Sequence, residues 1–159
     1  FEPFFICENF FFWNLSYLYS ALKDSEKNTI AKYYSDKFTK EYKPNSALRI
    51  NSEDMESALK IFNLMRNQCA HDERLYNSDY RNVRVTNIAN YFGISNYDNR
   101  RIIVAIIYFK ALLNKEYNKK FHSELNKIFS RYQNEFNTVS FNDILDIMGI
   151  SLSELNKLN

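Results

Sequence analysis

An arginine and a histidine five residues apart, in Arg66-Asn67-Gln68-Cys69-Ala70-His71, are the residues of this chain best suited to chemistry. The reaction they suit is attack at a phosphodiester. A ribose 2′-OH attacking the adjacent phosphorus needs a base at its proton and a cation at the phosphoryl oxygens. An imidazole with an ordinary pKa of about 6.5 takes that proton, or as imidazolium gives one to the leaving 5′-oxygen. A guanidinium offers a planar fork to the charged phosphorane. This chemistry requires no metal.

Spacing alone says little. Eight Arg and two His in 159 residues give such a match by chance roughly 0.1 times at one spacing. The setting adds weight. Arg66 falls on the apolar stripe of its helix, with Phe62 at i−4, Cys69 at i+3 and Ala70 at i+4. A charge there is costly unless it meets a partner or a wet cleft. Glu8 is placed in the same way, flanked by Phe4, Phe5, Phe11 and Phe12. A Glu8–Arg66 pair is therefore expected. It reads either as support for a site or as a plain interhelical ion pair, with His71 only decorating a helix end. Five residues of ideal helix turn about 500°, so positions 66 and 71 point about 140° apart. They converge on one phosphate only if the helix ends or bends there, or if a second copy supplies part of the site. Asn67, one turn before His71, faces its way.

Other chemistries are excluded by composition. A structural zinc site takes about four N or S ligands, and Cys7, Cys69, His71 and His122 have no spacing that forms one; small buried cysteines are the expectation. With Gly93 and Gly149 as the only glycines, no glycine-rich phosphate loop exists. Nucleophile-elbow and helical zinc-protease motifs are absent. No metal or other cofactor is expected.

Helices must position these residues. Phe4, Phe5, Glu8, Phe11, Phe12, Leu15, Leu18, Tyr19 and Leu22 share one stripe at helical period, with Pro3 in the first turn. Asp24 or Ser25 caps a second helix through Ile30, Tyr33, Tyr34 and Phe38, ending before Pro44. A third opens at Asn51–Ser52, with Glu53 and Asp54 in its first turn and a stripe of Met55, Ala58, Leu59, Phe62, Met65 and Cys69. Periodicity fails from 72 to 85, which reads as a loop. A short helix over 86–92 stops at Gly93, a residue suited to a left-handed C-terminal cap. Helices over about 98–117 and 121–136 follow, then short ones starting near Ser140 and Ser151. The expected fold is all-α, a compact helical bundle forming one domain over 1–159.

Bulk composition agrees. Aromatics reach 17%, and only 2 Gly and 2 Pro occur, which fits long helices better than a turn-rich β fold. A net charge of +2 restricts any RNA contact to a local one. Two cysteines give no disulfide framework and point to a reducing, cytoplasmic setting. The opening 22 residues carry Glu2, Glu8, Asn9 and Asn14 and lack a basic start, so neither a signal peptide nor a membrane span is expected; 102–109 reads as buried helix. A first residue of Phe1 suggests the C-terminal part of a longer chain.

The run from Leu64 to Asn77 resembles the "RN.CAH..RL.N" block of the Abi-like (abortive infection, AbiD/AbiF kind) HEPN-domain family. Pro3-Phe4-Phe5 with Glu8 and Ser16-Tyr17-Leu18-Tyr19 is similar to the family's helix before the motif, and Met148-Gly149-Ile150 to its closing segment. Asp72 stands where the family often has a second His. The resemblance implies a HEPN-like bundle and a ribonuclease of phage defence or of a toxin–antitoxin-like system. Arg66 and His71 would be catalytic, Asn67 orienting, and Glu8 supporting. HEPN nucleases pair two Arg–His motifs across a two-fold axis, and this chain has one. A homodimer is thus implied, with RNA as substrate and a neutralising RNA or protein antitoxin as a further partner. Arg74 and Asn77, inside the block, are the RNA-binding candidates. Tyr76, Arg81 and Arg84 read as loop, since 72–84 holds three acidic and three basic residues. Lys115, Lys119, Lys120 and Lys127 read as a solvated helix face, and His122 as structural. Two alternatives stand beside the nuclease: a non-catalytic RNA- or protein-binding HEPN module, and a segment of an RNA-guided CRISPR-type effector.

Overall fold

Side chains and backbone reversals mark the helix ends in the computed structural model, which describes residues 15–158 except 82, 134, 136 and 137. Residues 15–21 are helical. Helix α1 (Asp24–Tyr42) starts where the Lys23 N–H donates to Glu26 Oε2 (2.9 Å) and stops at Lys43, whose φ of 47° turns the chain left-handed just before Pro44. Helix α2 (Ser52–Ala70) has a reciprocal capping box. Asn51 Oδ1 accepts from the Asp54 N–H (2.7 Å) and Asp54 Oδ2 from the Asn51 N–H (3.0 Å). Then come α3 (Thr86–Tyr91), α4 (Ile103–Leu112), α5 (Lys115–Tyr132), α6 (Phe141–Ile147), α7 (Leu152–Leu155) and a 3₁₀ turn, Asn156–Leu158. The fold is all-α.

The core forms around α4. Ile103, Val104, Ala105, Ile106, Ile107 and Tyr108 are buried in succession, so this helix is apolar all round and takes neighbours on several sides: α1, α2 and α3 pack against it. Each large aliphatic buried this way contributes about 1.5–3 kcal/mol. Truncating the fully buried Ile107 to Ala would cost about 2–5 kcal/mol, because the packed neighbours cannot collapse into the gap. Phe109 stacks on Phe62 of α2 (ring centroids 4.7 Å) and meets Phe121 of α5 at 5.0 Å. This row of rings fixes α2 and α5 on either side of α4.

The closing segment Met148-Gly149-Ile150 packs back on the entry to α4. Tyr97 and Ile150 form an antiparallel bridge, and the Asp98 N–H donates to Gly149 O (2.9 Å). Gly149 has φ 83°, and a Cβ there would lie 2.5 Å from Arg101 Cβ. Only glycine meets both demands. Gly93, with φ 72°, ends the turn after α3 as expected: the Ile94 N–H reaches Ala89 O (2.9 Å).

Several expectations need correction. The single helix over 98–117 is two. Residues 98–102 form turns, with Asp98 Oδ1 taking the Arg100 N–H (2.9 Å). Leu113 is extended, and Asn114 Oδ1 caps α5 through the Tyr117 N–H (2.8 Å). A strong cap four residues inside an apolar run overrides the run. Leu15, Leu18 and Tyr33, placed on apolar stripes, are exposed, as is Cys69. On α2 the buried line is Asp54, Met55, Ala58 and Ile61, rotated from the expected stripe, while Leu59, Phe62 and Met65 are half-buried. No helix of the described residues is long and apolar enough to cross a membrane.

Candidate functional site

Helix α2 carries Arg66 and Asn67 in its last two turns and ends one residue before His71. Arg66 is half-buried and its Nη2 donates to Asn63 Oδ1 (3.3 Å), one turn back. Its position is thus the edge of the buried face, not the middle of an apolar stripe, since Cys69 and Ala70 beyond it are exposed. His71 is exposed and occupies the C-cap. Glu8 lies outside the described residues, and so does its expected pairing with Arg66.

The helix end is a backbone motif. Asp72 has φ 53°, its N–H donates to Cys69 O (3.3 Å), and the Glu73 N–H reaches back to Gln68 O (2.9 Å). These are the two bonds of a Schellman closure, with Asp72 in the left-handed position that aspartate tolerates better than most residues. The helical ladder nevertheless reaches position 71, because the His71 N–H still bonds Asn67 O (3.1 Å). The reversal therefore follows the histidine and does not fall between it and Arg66. No reversal between them turns position 66 toward position 71.

Sequence reasoning passed over Gln68. Its Oε1 accepts hydrogen bonds from Ser78 Oγ and Tyr80 Oη, each at 3.1 Å, and Ser78 and Tyr80 are both buried. One amide oxygen thus holds the segment after the motif against α2. The available signal was Tyr80, an aromatic in a polar run that needs an acceptor for its hydroxyl when buried. The Tyr80 N–H also bonds Arg100 O, and Arg100 forms a two-pronged pair with Asp79 (Nε–Oδ1 3.0 Å; Nη2–Oδ2). Arg100 holds the Asp79 carboxyl below the usual carboxylate range.

Arg74 and Asn77 are exposed on this pinned segment. The Asn77 backbone carbonyl accepts from Arg101 Nη1 (3.3 Å). Arg84 lies further off, paired with Glu53 (3.6 Å) near the start of α2. The motif end of the molecule therefore presents His71, Arg74 and Asn77 on a short, tethered backbone. That arrangement suits a phosphate and an acid–base group better than a deep small-molecule pocket. Among the described residues, no group of three or more His, Cys, Asp or Glu side chains is placed to hold a metal.

Residues 2–77, the stretch that ends with Asn77, match the family model described as Abi-like protein. No curated protein and no solved structure matches the chain.

Proposed function

Taking residues 2–77 as an Abi-like segment, we propose that the chain is a HEPN-type endoribonuclease of abortive infection, acting from a site shared by two copies. The observation that carries this reading is the arginine–histidine motif at the capped end of α2, inside the matched segment. His71 of one copy takes the proton of a ribose 2′-OH. The 2′-oxygen attacks phosphorus, the bond to the 5′-oxygen breaks, and an imidazolium from the other copy protonates that oxygen. Arg66 neutralises the phosphorane oxygens. Asn67 orients the imidazole, and Arg74 and Asn77 grip the flanking strand. The products are a 2′,3′-cyclic phosphate and a 5′-hydroxyl. The helical separation of Arg66 and His71 along α2 supports a shared site. Two motifs facing each other across a two-fold axis let the arginine of one copy serve the histidine of the other.

The test is incubation of the purified protein, wild type and His71→Ala, with a mixed RNA pool in EDTA, followed by end mapping. Cyclic phosphate ends from the wild type alone support the reading. Cleavage retained by His71→Ala, or lost in EDTA, overturns it. A preparation that binds RNA through Arg66 yet cuts none would make the chain a binding module.

A further inference from the structure

Among the described residues, 72–85 carry no helix, yet the stretch 77–80 is held from two sides. On one side Gln68 of α2 takes the Ser78 and Tyr80 hydroxyls. On the other lies the turn at 98–101. The Tyr80 N–H donates to the Arg100 carbonyl (2.6 Å), and Arg101 Nη1 donates to the Asn77 carbonyl (3.3 Å). The Arg100 guanidinium grips both oxygens of Asp79 (Nε–Oδ1 3.0 Å; Nη2–Oδ2). The turn is itself seated on the closing segment. The Asp98 N–H donates to Gly149 O (2.9 Å), and Asp98 Oδ1 accepts the Arg100 N–H (2.9 Å).

The Asp79–Arg100 pair is the unusual member of this set. Buried hydroxyls and backbone bonds account for the chain path at 78 and 80 without it. The Asp79 and Arg100 side chains are 35% and 55% exposed, and an exposed ion pair ordinarily stabilises little, because two flexible side chains must be ordered in water. Its two parallel bonds set it apart, since a fork fixes direction as well as distance. The residue so fixed adjoins the RNA candidates. The Ser78 N–H reaches Leu75 O (3.2 Å) and its Oγ reaches Arg74 O (3.5 Å), which closes 74–78 into a turn. A change of backbone direction at Asp79 is passed through this turn to Asn77 and Arg74.

Resting on the nuclease reading above, we propose that Asp79 and Arg100 are positioning residues, whose two-pronged pair sets the turn at 74–78 so that Arg74 and Asn77 meet the RNA strand already in place. The pair acts through the turn and does not touch the strand. A segment preset in its binding geometry loses less freedom when the strand arrives, whereas one that shifts binds more weakly by the fraction of time it is out of place. His71 precedes the turn and is held by the helical ladder of α2. Strand binding therefore depends on the pair, and the proton transfers do not. The sign of the Asp79 charge makes this role testable. Beside a polyanion a carboxylate repels, so on charge alone Asp79 hinders RNA binding, while as a positioning residue it helps.

Asp79→Asn separates the two. It removes a negative charge and frees the Arg100 fork, so it tightens RNA binding if charge decides and weakens it if position does. The probe is a labelled single-stranded RNA of mixed sequence, titrated into the full chain carrying His71→Ala. Asp79→Asn and Arg100→Gln should each weaken binding about two- to fivefold, and the double variant should weaken it no further. With His71 in place, the same variants should raise KM by that factor and leave kcat unchanged. Melting temperatures should stay within about 3 °C of wild type, and amide exchange over 74–78 should quicken. The proposal is overturned if Asp79→Asn binds RNA as tightly as its parent or more tightly, if the losses of the single variants add, or if kcat falls in place of a rise in KM. A wild type that cuts RNA beside an equally active Asp79→Asn overturns the positioning role alone. A wild type that neither binds nor cuts RNA overturns the nuclease reading and the positioning role with it.

Discussion

The chain's two histidines sit in opposite environments. His71 is exposed at the C-cap of α2, set there by a backbone reversal. His122 is buried on α5 beside Lys110, and its Nε2 has no hydrogen-bond partner among the described residues. In the proposed nuclease, exposure leaves the first within reach of a bound strand. The second is held neutral by burial and is suited to hydrogen bonding, not to proton transfer at pH 7. Residue type alone therefore does not separate the two histidines; their exposure does.

The largest effect expected from this contrast is kinetic. His71→Ala should lower RNA cleavage about a hundredfold or more while shifting stability by no more than about 0.5 kcal/mol, measured with labelled RNA and urea unfolding. Equal activity of variant and wild type would dissolve the distinction between the two histidines.

Next comes pH. His122 has a folded pKa near 4, below its ordinary 6.5, so the unfolded chain binds the proton more readily. Its contribution is fully present above about pH 6.5 and is lost as pH falls toward 4. The loss amounts to about 3 kcal/mol over that window, from the size of the shift. Wild type should lose this increment in urea unfolding between pH 7 and 4, and His122→Gln should not. Parallel curves for the two proteins would show that His122 is not held neutral.

Smaller effects test what holds the motif end in place. Gln68→Leu strips the acceptor from Ser78 and Tyr80 and should destabilise by roughly 1–3 kcal/mol, with faster amide exchange over 72–80. Unchanged exchange there would mean that the segment is tethered elsewhere, by Arg100 and Asp79. Smallest of all, Asp72→Gly removes the cost of a left-handed side chain and should raise stability by about 1 kcal/mol, whereas Asp72→Val should lower it. If both variants melt together, the reversal after His71 is not under conformational control.

Several of these features were legible in advance. Asn51 and Asp54 mark the start of α2, Gly93 the end of α3, and Ser140 and Ser151 the starts of α6 and α7, because a cap acts on backbone groups two or three residues away. The motif itself was readable as residue types at a spacing. Less legible was the break at Leu113–Asn114, where a local cap interrupts an apolar run that periodicity alone continues. The facing of α2 was misjudged too: Cys69 lies outside the buried line and Ile61 within it.

By itself the sequence determined an all-α chain, the placement of most caps, and a helix ending beside Arg66 and His71, since all of these depend on neighbours along the chain. Tertiary structure decided which side of α2 is buried, that Gln68 anchors Ser78 and Tyr80, and that Tyr42, Lys110, Asn118 and His122 surround one cavity. Those outcomes join residues from 10 to 76 positions apart. Burial and hydrogen-bond satisfaction are properties of the packed surroundings, which no local pattern encodes.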